Sequence, residues 1–242
     1  MKVKNLLAAA ALCLFCGTAS AQVNDYSGLY LQYNPSWASN LKYYTNASKD
    51  NNYVNGFTLG YFRSIGLGGD NVPLFLEVGG NLNYGFHTYS VSASDNIAGV
   101  LVKAEARSTF HMLSLNIPVN FGYSIRLGDN LALNPYVGIR MRVNLLGLNK
   151  TKETQTIGSK ESNDSETVNM YSSSDDNVGN SDYTWNRFQI GWQAGLKLII
   201  SEAFFVEAGY TMDFNRLGKV RLFGGDVNIN TSSVNLGFGL VF

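Results

Sequence analysis

Three observations predict an all-β chain folded as an up-and-down antiparallel transmembrane β-barrel of eight strands. Apolar and polar residues alternate with a period of two through most of the sequence, the mark of strands with two unlike faces. In the six clearest of these segments one parity carries no charge. The connections alternate between short and long, as in a barrel with short periplasmic turns, long outer loops and both ends on the periplasmic side.

The clearest alternating segments are 74–86, 113–125, 133–145, 188–200, 204–214 and 232–242, preceded by weaker ones at 29–35 and 57–65. One parity of 74–86 reads Leu74, Leu76, Val78, Gly80, Leu82, Tyr84, Phe86, and one parity of 188–200 reads Phe188, Ile190, Trp192, Ala194, Leu196, Leu198, Ile200. The other four behave alike. With 15% of all residues charged, several charges would fall on such positions by chance. A charge facing hydrocarbon near the bilayer midplane costs ~2–4 kcal/mol, which accounts for the gap. The segments are long enough to cross an apolar band of ~25 Å at a tilt of ~40°, whereas globular strands average ~5–6 residues. The opposite parity is polar or tiny, with many Asn and Gly. Glycine weakens a strand facing water, so its abundance there points to a crowded interior. A soluble periplasmic β-sandwich is the fallback reading.

Composition agrees. Across 242 residues, 18 Lys+Arg balance 18 Asp+Glu and aromatics reach 13%. Balanced charge speaks against a nucleic-acid partner, and the apolar content speaks against global disorder. Beyond residue 21 no run approaches the 18 or more apolar residues of a membrane helix.

Residues 1–21 read as a signal peptide and 22–242 as the barrel domain. Lys2 and Lys4 form a positive start, 6–15 is apolar, and Ala19-Ser20-Ala21 precedes Gln22 as a small-residue cleavage site. Cys16 raises a lipoprotein reading, which the bulky Phe15 before it disfavours. Cleavage would remove Cys13 and Cys16, so the exported chain would carry no disulfide, Cys-ligated metal or thiol nucleophile.

The chain ends N-L-G-F-G-L-V-F, with Asn235, Gly237, Leu240 and Phe242 spaced to resemble the recognition signal of bacterial outer-membrane barrels. That resemblance implies the barrel-assembly machinery and periplasmic chaperones as partners during biogenesis, and outer-membrane lipid and lipopolysaccharide as surroundings. The segments HMLSLNIPVNFGYSI, LALNPYVGIRMRVNLL, FQIGWQAGLKLII and FFVEAGYTMDFN are similar to the PorT-like outer-membrane β-barrel domain family. The similarity covers nearly the whole exported chain, in pattern more than in invariant residues. It implies a small, eight-stranded barrel in the outer membrane with no catalytic residues to transfer.

The strongest candidate constellation is the set of inward charges: Glu77, Glu207 and Asp213 against Arg140, Arg142 and Lys197. Charges in so narrow a lumen must pair, and Arg140 and Arg142, two apart on one face, are placed to share one acid. The expected result is a side-chain-filled lumen and a structural or surface-interaction role; the alternatives are a narrow porin and a lipid A-modifying enzyme. For an enzyme the outward residues offer His111 and Ser232 but no acid, and no catalytic residue is assigned. No metal or cofactor site is assigned either: His87 and His111 bracket one long connection, yet by parity point to opposite faces. The connection 147–187 is rich in Ser, Asn, Thr and Asp and reads as a solvated cap or a binding segment for an extracellular ligand.

Overall fold

A computed structural model describes residues 25–38, 53–67, 72–97, 100–157, 160–171, 184–222 and 225–242. The segment read as a signal peptide, with Ala19, Ala21 and Gln22, lies outside them. The long strands are β1 (Tyr26–Tyr33), β3 (Tyr53–Gly66), β4 (Leu74–Ile97), β5 (Val100–Tyr123), β7 (Leu131–Ile157), β10 (Phe188–Ile200), β11 (Phe204–Asp213) and β14 (Thr231–Val241). Shorter ones are β2 (Ser36–Ala38), β6 (Ile125–Gly128), β8 (Lys160–Asn169), β9 (Thr184–Trp185), β12 (Gly218–Leu222) and β13 (Gly225–Ile229).

The eight long strands overlap the eight alternating segments of the sequence. They pair antiparallel in the order β1, β3, β4, β5, β7, β10, β11, β14. β14 then pairs with β1, from Gly28 opposite Val241 to Tyr33 opposite Leu236, so the order returns on itself. The need for this is physical: in hydrocarbon no water can satisfy a free edge.

The connections depart from expectation. Segments 87–111 and 147–187 were expected as loops. Instead the β4–β5 ladder continues to Ile97 opposite Val100, and β7 pairs with β5 as far as Ile157 opposite Val102. β8 adds a fourth strand, from Leu148 opposite Asn169 to Ile157 opposite Lys160. A sheet of β4, β5, β7 and β8 therefore extends beyond the apolar belt. Once a hairpin is registered in the barrel, each further residue adds ladder hydrogen bonds without closing a new loop, and Val, Thr and Ser favour or tolerate strand geometry. The 24 residues of β4 run roughly 80 Å along the strand, more than twice what a tilted crossing of the belt requires. The connection 215–231 likewise contains a hairpin, β12–β13, with β9 as its third strand.

Burial is inverted relative to a water-soluble domain. The buried side chains described comprise nine hydrophobic and twenty polar or charged ones. Leu59, Val137, Leu196, Phe204, Phe238 and Leu240 are all more than half exposed. A soluble monomer does not present such a continuous apolar surface; a barrel wall in lipid must. The small apolar cluster that does exist is Tyr30, Phe62, Ile199 and Phe205, near the end where the short turns gather.

Candidate functional site: the lumen

Inward alternation delivers the charges, and the ring order decides which meet. Lys197 on β10 stands directly opposite Glu207 of the adjacent β11. Its ammonium nevertheless donates to Oε2 of Glu77 on β4, across the lumen. Glu77 Oε1 accepts from Asn120 Nδ2 at 3.0 Å, and Asn120 Oδ1 accepts from Gln193 Nε2 at 2.6 Å. The Lys197 nitrogen lies 3.6 Å from the Phe62 ring centroid and 5.0 Å from that of Phe205. A desolvated cation over an aromatic face gains about 2 kcal/mol, so the rings help hold a charge that water cannot reach. Glu207 accepts a hydrogen bond from the Tyr136 hydroxyl. Lys197, Glu77 and the rings thus form a strut from one wall to the other, near the short-turn end.

The second cluster lies toward the long hairpins. Asp213, fully buried, accepts from Arg140 Nη2 at 2.5 Å, Arg142 Nη1 at 3.3 Å, Gln189 Nε2 at 3.2 Å and the Thr231 hydroxyl. Arg140 and Asp213 sit on β7 and β11, with β10 between them, and both face Gly191 in the register. A Cβ at Gly191 would lie 2.8 Å from Asp213 Oδ1, so glycine leaves the channel through which Arg140 reaches its acid. Arg142 Nε also donates to Asn116 Oδ1 at 3.0 Å. The six inward charges fall into two groups at different depths instead of one network: Arg140, Arg142 and Asp213 toward the long hairpins, Lys197, Glu77 and Glu207 toward the short turns.

Amides fill the space between. Asn116 donates to Asn81 at 2.7 Å, Asn81 to the Tyr30 hydroxyl at 2.9 Å, Asn83 to Thr58 at 2.7 Å and Asn34 to Asn235 at 2.8 Å. The voids left among these side chains measure about 80 and 30 Å³, room for a few waters, each of which occupies ~30 Å³ in the liquid. Sequence parity signalled the charges and the amides. It did not signal Phe62, Phe205 and Tyr136 around Lys197, because aromatics fit either face of a strand.

The remaining candidates fall elsewhere. His111 Nδ1 and the Tyr84 hydroxyl hydrogen-bond at 2.7 Å on the outer wall. Ser232, expected to face outward, is only 3% exposed, beside the short β2 strand that pairs with β14. It lies on a strand not adjacent in the ring to that of His111, whose Nδ1 bonds Tyr84, so these two residues do not form a nucleophile–base pair. Among the described residues no three His, Cys, Asp or Glu side chains gather as a metal site. On β14, Asn235 is buried, Leu240 is 51% exposed and Gly237 lies opposite Gln32 of β1; Phe242, just past the strand, is 66% exposed. Phe242 exchanges backbone hydrogen bonds with Ser27.

No curated protein matches the sequence. Among solved structures it is similar to Ail, the attachment invasion locus protein of Yersinia pestis, at 15% identity over 90% of this chain and 99% of that one, with a TM-score of 0.36. It is also similar to Neisserial surface protein A, at 13% identity over 90% and 97% with a TM-score of 0.38. A third is the N-terminal β-barrel domain of Pseudomonas aeruginosa OprF, at 13% identity over 90% and 99% with a TM-score of 0.31. The sequence matches, over residues 7–242, the family described as outer membrane protein beta-barrel domain; with its ring of paired strands, apolar outer wall and polar interior, the chain belongs to that family and is an integral β-barrel of the bacterial outer membrane.

Proposed function

We propose that this barrel is a non-conducting, non-catalytic anchor that carries its long hairpins above the outer leaflet for a structural or surface-interaction role. The supporting observation is the strut: Lys197 joined to Glu77 across the lumen and flanked by Phe62 and Phe205, each of the four no more than 6% exposed. A path for solute would have to break a desolvated ion pair. The finer family reading is PorT-like, supported by the quoted strand segments. Export is by a signal peptide cleaved between Ala21 and Gln22, and insertion proceeds through the barrel-assembly machinery acting on Asn235, Gly237, Leu240 and Phe242. An extracellular ligand would meet the 147–187 segment, whose strand β8 has a free edge among the described residues.

The test is conductance of the purified, refolded barrel in planar bilayers. No unitary steps are expected. Reproducible steps would replace the anchor reading with that of a narrow porin.

A further inference from the structure

On the rungs nearest the belt, the sheet formed by β4, β5, β7 and β8 puts its cations on one face and its acids on the other; Glu105, paired with Lys103, and Glu161 share the cationic face farther out. A β-bulge causes this separation. The β5–β7 register shifts at Leu113/Ser114, which face Leu146 and Asn144, so Leu145 is the extra residue. Beyond a bulge, alternation is inverted. Unbroken alternation from Val143 would send Asn149, Thr151 and Glu153 to the outer side. The bulge sends Leu148, Lys150 and Lys152 there instead, in line with Leu146.

On β5 the outer parity runs Leu113, His111, Thr109, Arg107. The registers then give two neighbouring rows across the sheet: Thr88, Thr109, Lys150, Thr167, and Ser90, Arg107, Lys152, Ser165. Both rows hold hydroxyls and cations and no acid. Arg107 and Lys152 are directly opposite, an arrangement that destabilises a sheet unless an anion lies against it. Arg107, Lys150 and Lys152 are all exposed, and the ion pairs among the described residues include none of them. The acids Glu153, Asp164 and Glu166 occupy the opposite face, with Glu153 directly opposite Asp164.

Position narrows the occupant. Immediately below the two rows lies a run of outward rings in which Tyr33–Phe57, Phe57–Phe86, Phe86–Tyr84 and Tyr84–His111 pair at centroid distances of 5.4 to 6.3 Å. Aromatic girdles mark the membrane–water boundary. The cationic rows begin two and four residues past His111, roughly 7 and 13 Å along the strand, on the lipid-facing side. Headgroup phosphates of the outer leaflet lie at this height.

We propose that Arg107, Lys150 and Lys152, with the hydroxyls of Thr88, Ser90, Thr109, Ser165 and Thr167, form a docking site for the phosphorylated headgroup of the outer leaflet's anionic glycolipid. The site goes beyond the anchoring role and holds whether or not the lumen conducts. The experiment uses the full exported chain, refolded in neutral detergent. It compares binding of bis-phosphorylated lipid A with binding of the same lipid after phosphate removal, for wild type and for R107S/K150T/K152S, with heat-modifiable gel migration reporting the fold of each. Wild type is expected to prefer the phosphorylated lipid at least tenfold, with the preference falling as salt rises, and the triple variant is expected to lose it. E153Q/D164N, on the other face, is expected to keep it. Equal binding of the two lipids by wild type, or an undiminished preference in the folded triple variant, would overturn the proposal. Soluble polyphosphate binding wild type as tightly as the lipid would also overturn it, since the rows would then serve a dissolved anion.

Discussion

A single buried carboxylate, Asp213, compensates two guanidinium groups. Arg140 at 2.5 Å and Arg142 at 3.3 Å both depend on it. Removing one partner of a buried pair costs about 3–5 kcal/mol, because the remaining charge is stranded. Asp213→Asn strands two, side by side, and is expected to cost at least that much in urea unfolding of the barrel in lipid vesicles, followed by tryptophan fluorescence. Arg142→Gln is expected to cost less, since Arg140 keeps its acid. If Asp213→Asn unfolded within 1 kcal/mol of wild type, water would have to be screening both cations. The sequence shows Arg140 and Arg142 on one face, and their sharing of an acid is readable from that spacing. That Gly191 is the gap between Arg140 and Asp213 is not readable, because it depends on which strands are neighbours in the ring. For the same reason the choice of Glu77 over the adjacent Glu207 by Lys197 has no signature along the chain.

At the scale of strands, the barrel and its outer sheet follow different rules. Within the belt, lipid demands an uncharged apolar parity, and segments such as 74–86 and 188–200 announce themselves. Above the belt both faces meet water, so 150–157 and 160–169 show Ser, Thr, Lys and Glu with no apolar parity and resemble a loop, and in 87–97 alternation survives only in Tyr89, Val91 and Ala93 against Ser90, Ser92 and Ser94. Their strand character comes from pairing, each rung laid against the one below, and pairing is invisible in a single segment. The Leu145 bulge is hidden likewise: it is one extra apolar residue inside an apolar stretch. If the outer sheet is a passive continuation, the barrel does not need it. Replacing 151–166 by an Asn-Gly turn between Lys150 and Thr167, which face each other in the register, is expected to leave heat-modifiable migration and the urea midpoint unchanged. A barrel that failed to form would show that this hairpin organises the β5–β7 pairing from outside the membrane.

Across the whole molecule, closure and filling are distinct problems solved by different residues. Closure is backbone work, completed where β14 meets β1 and Phe242 exchanges hydrogen bonds with Ser27. Filling is side-chain work: the strut of Lys197, Glu77, Phe62 and Phe205, and the amide lattice from Asn116 through Asn81 to Tyr30. An eight-stranded ring leaves an interior that side chains just fill, so conduction is blocked by specific groups and is not ruled out by ring size alone. Truncating the strut while sparing the wall separates the two contributions. K197A/F62A/F205A, with E77Q to avoid a stranded acid, removes the crossing pair and both rings. The folded variant, checked by heat-modifiable migration, is expected to show small unitary steps in planar bilayers where wild type is silent. A folded but silent variant would place the block in the asparagine lattice, and N81A/N116A added to the same background would then be the change that opens it.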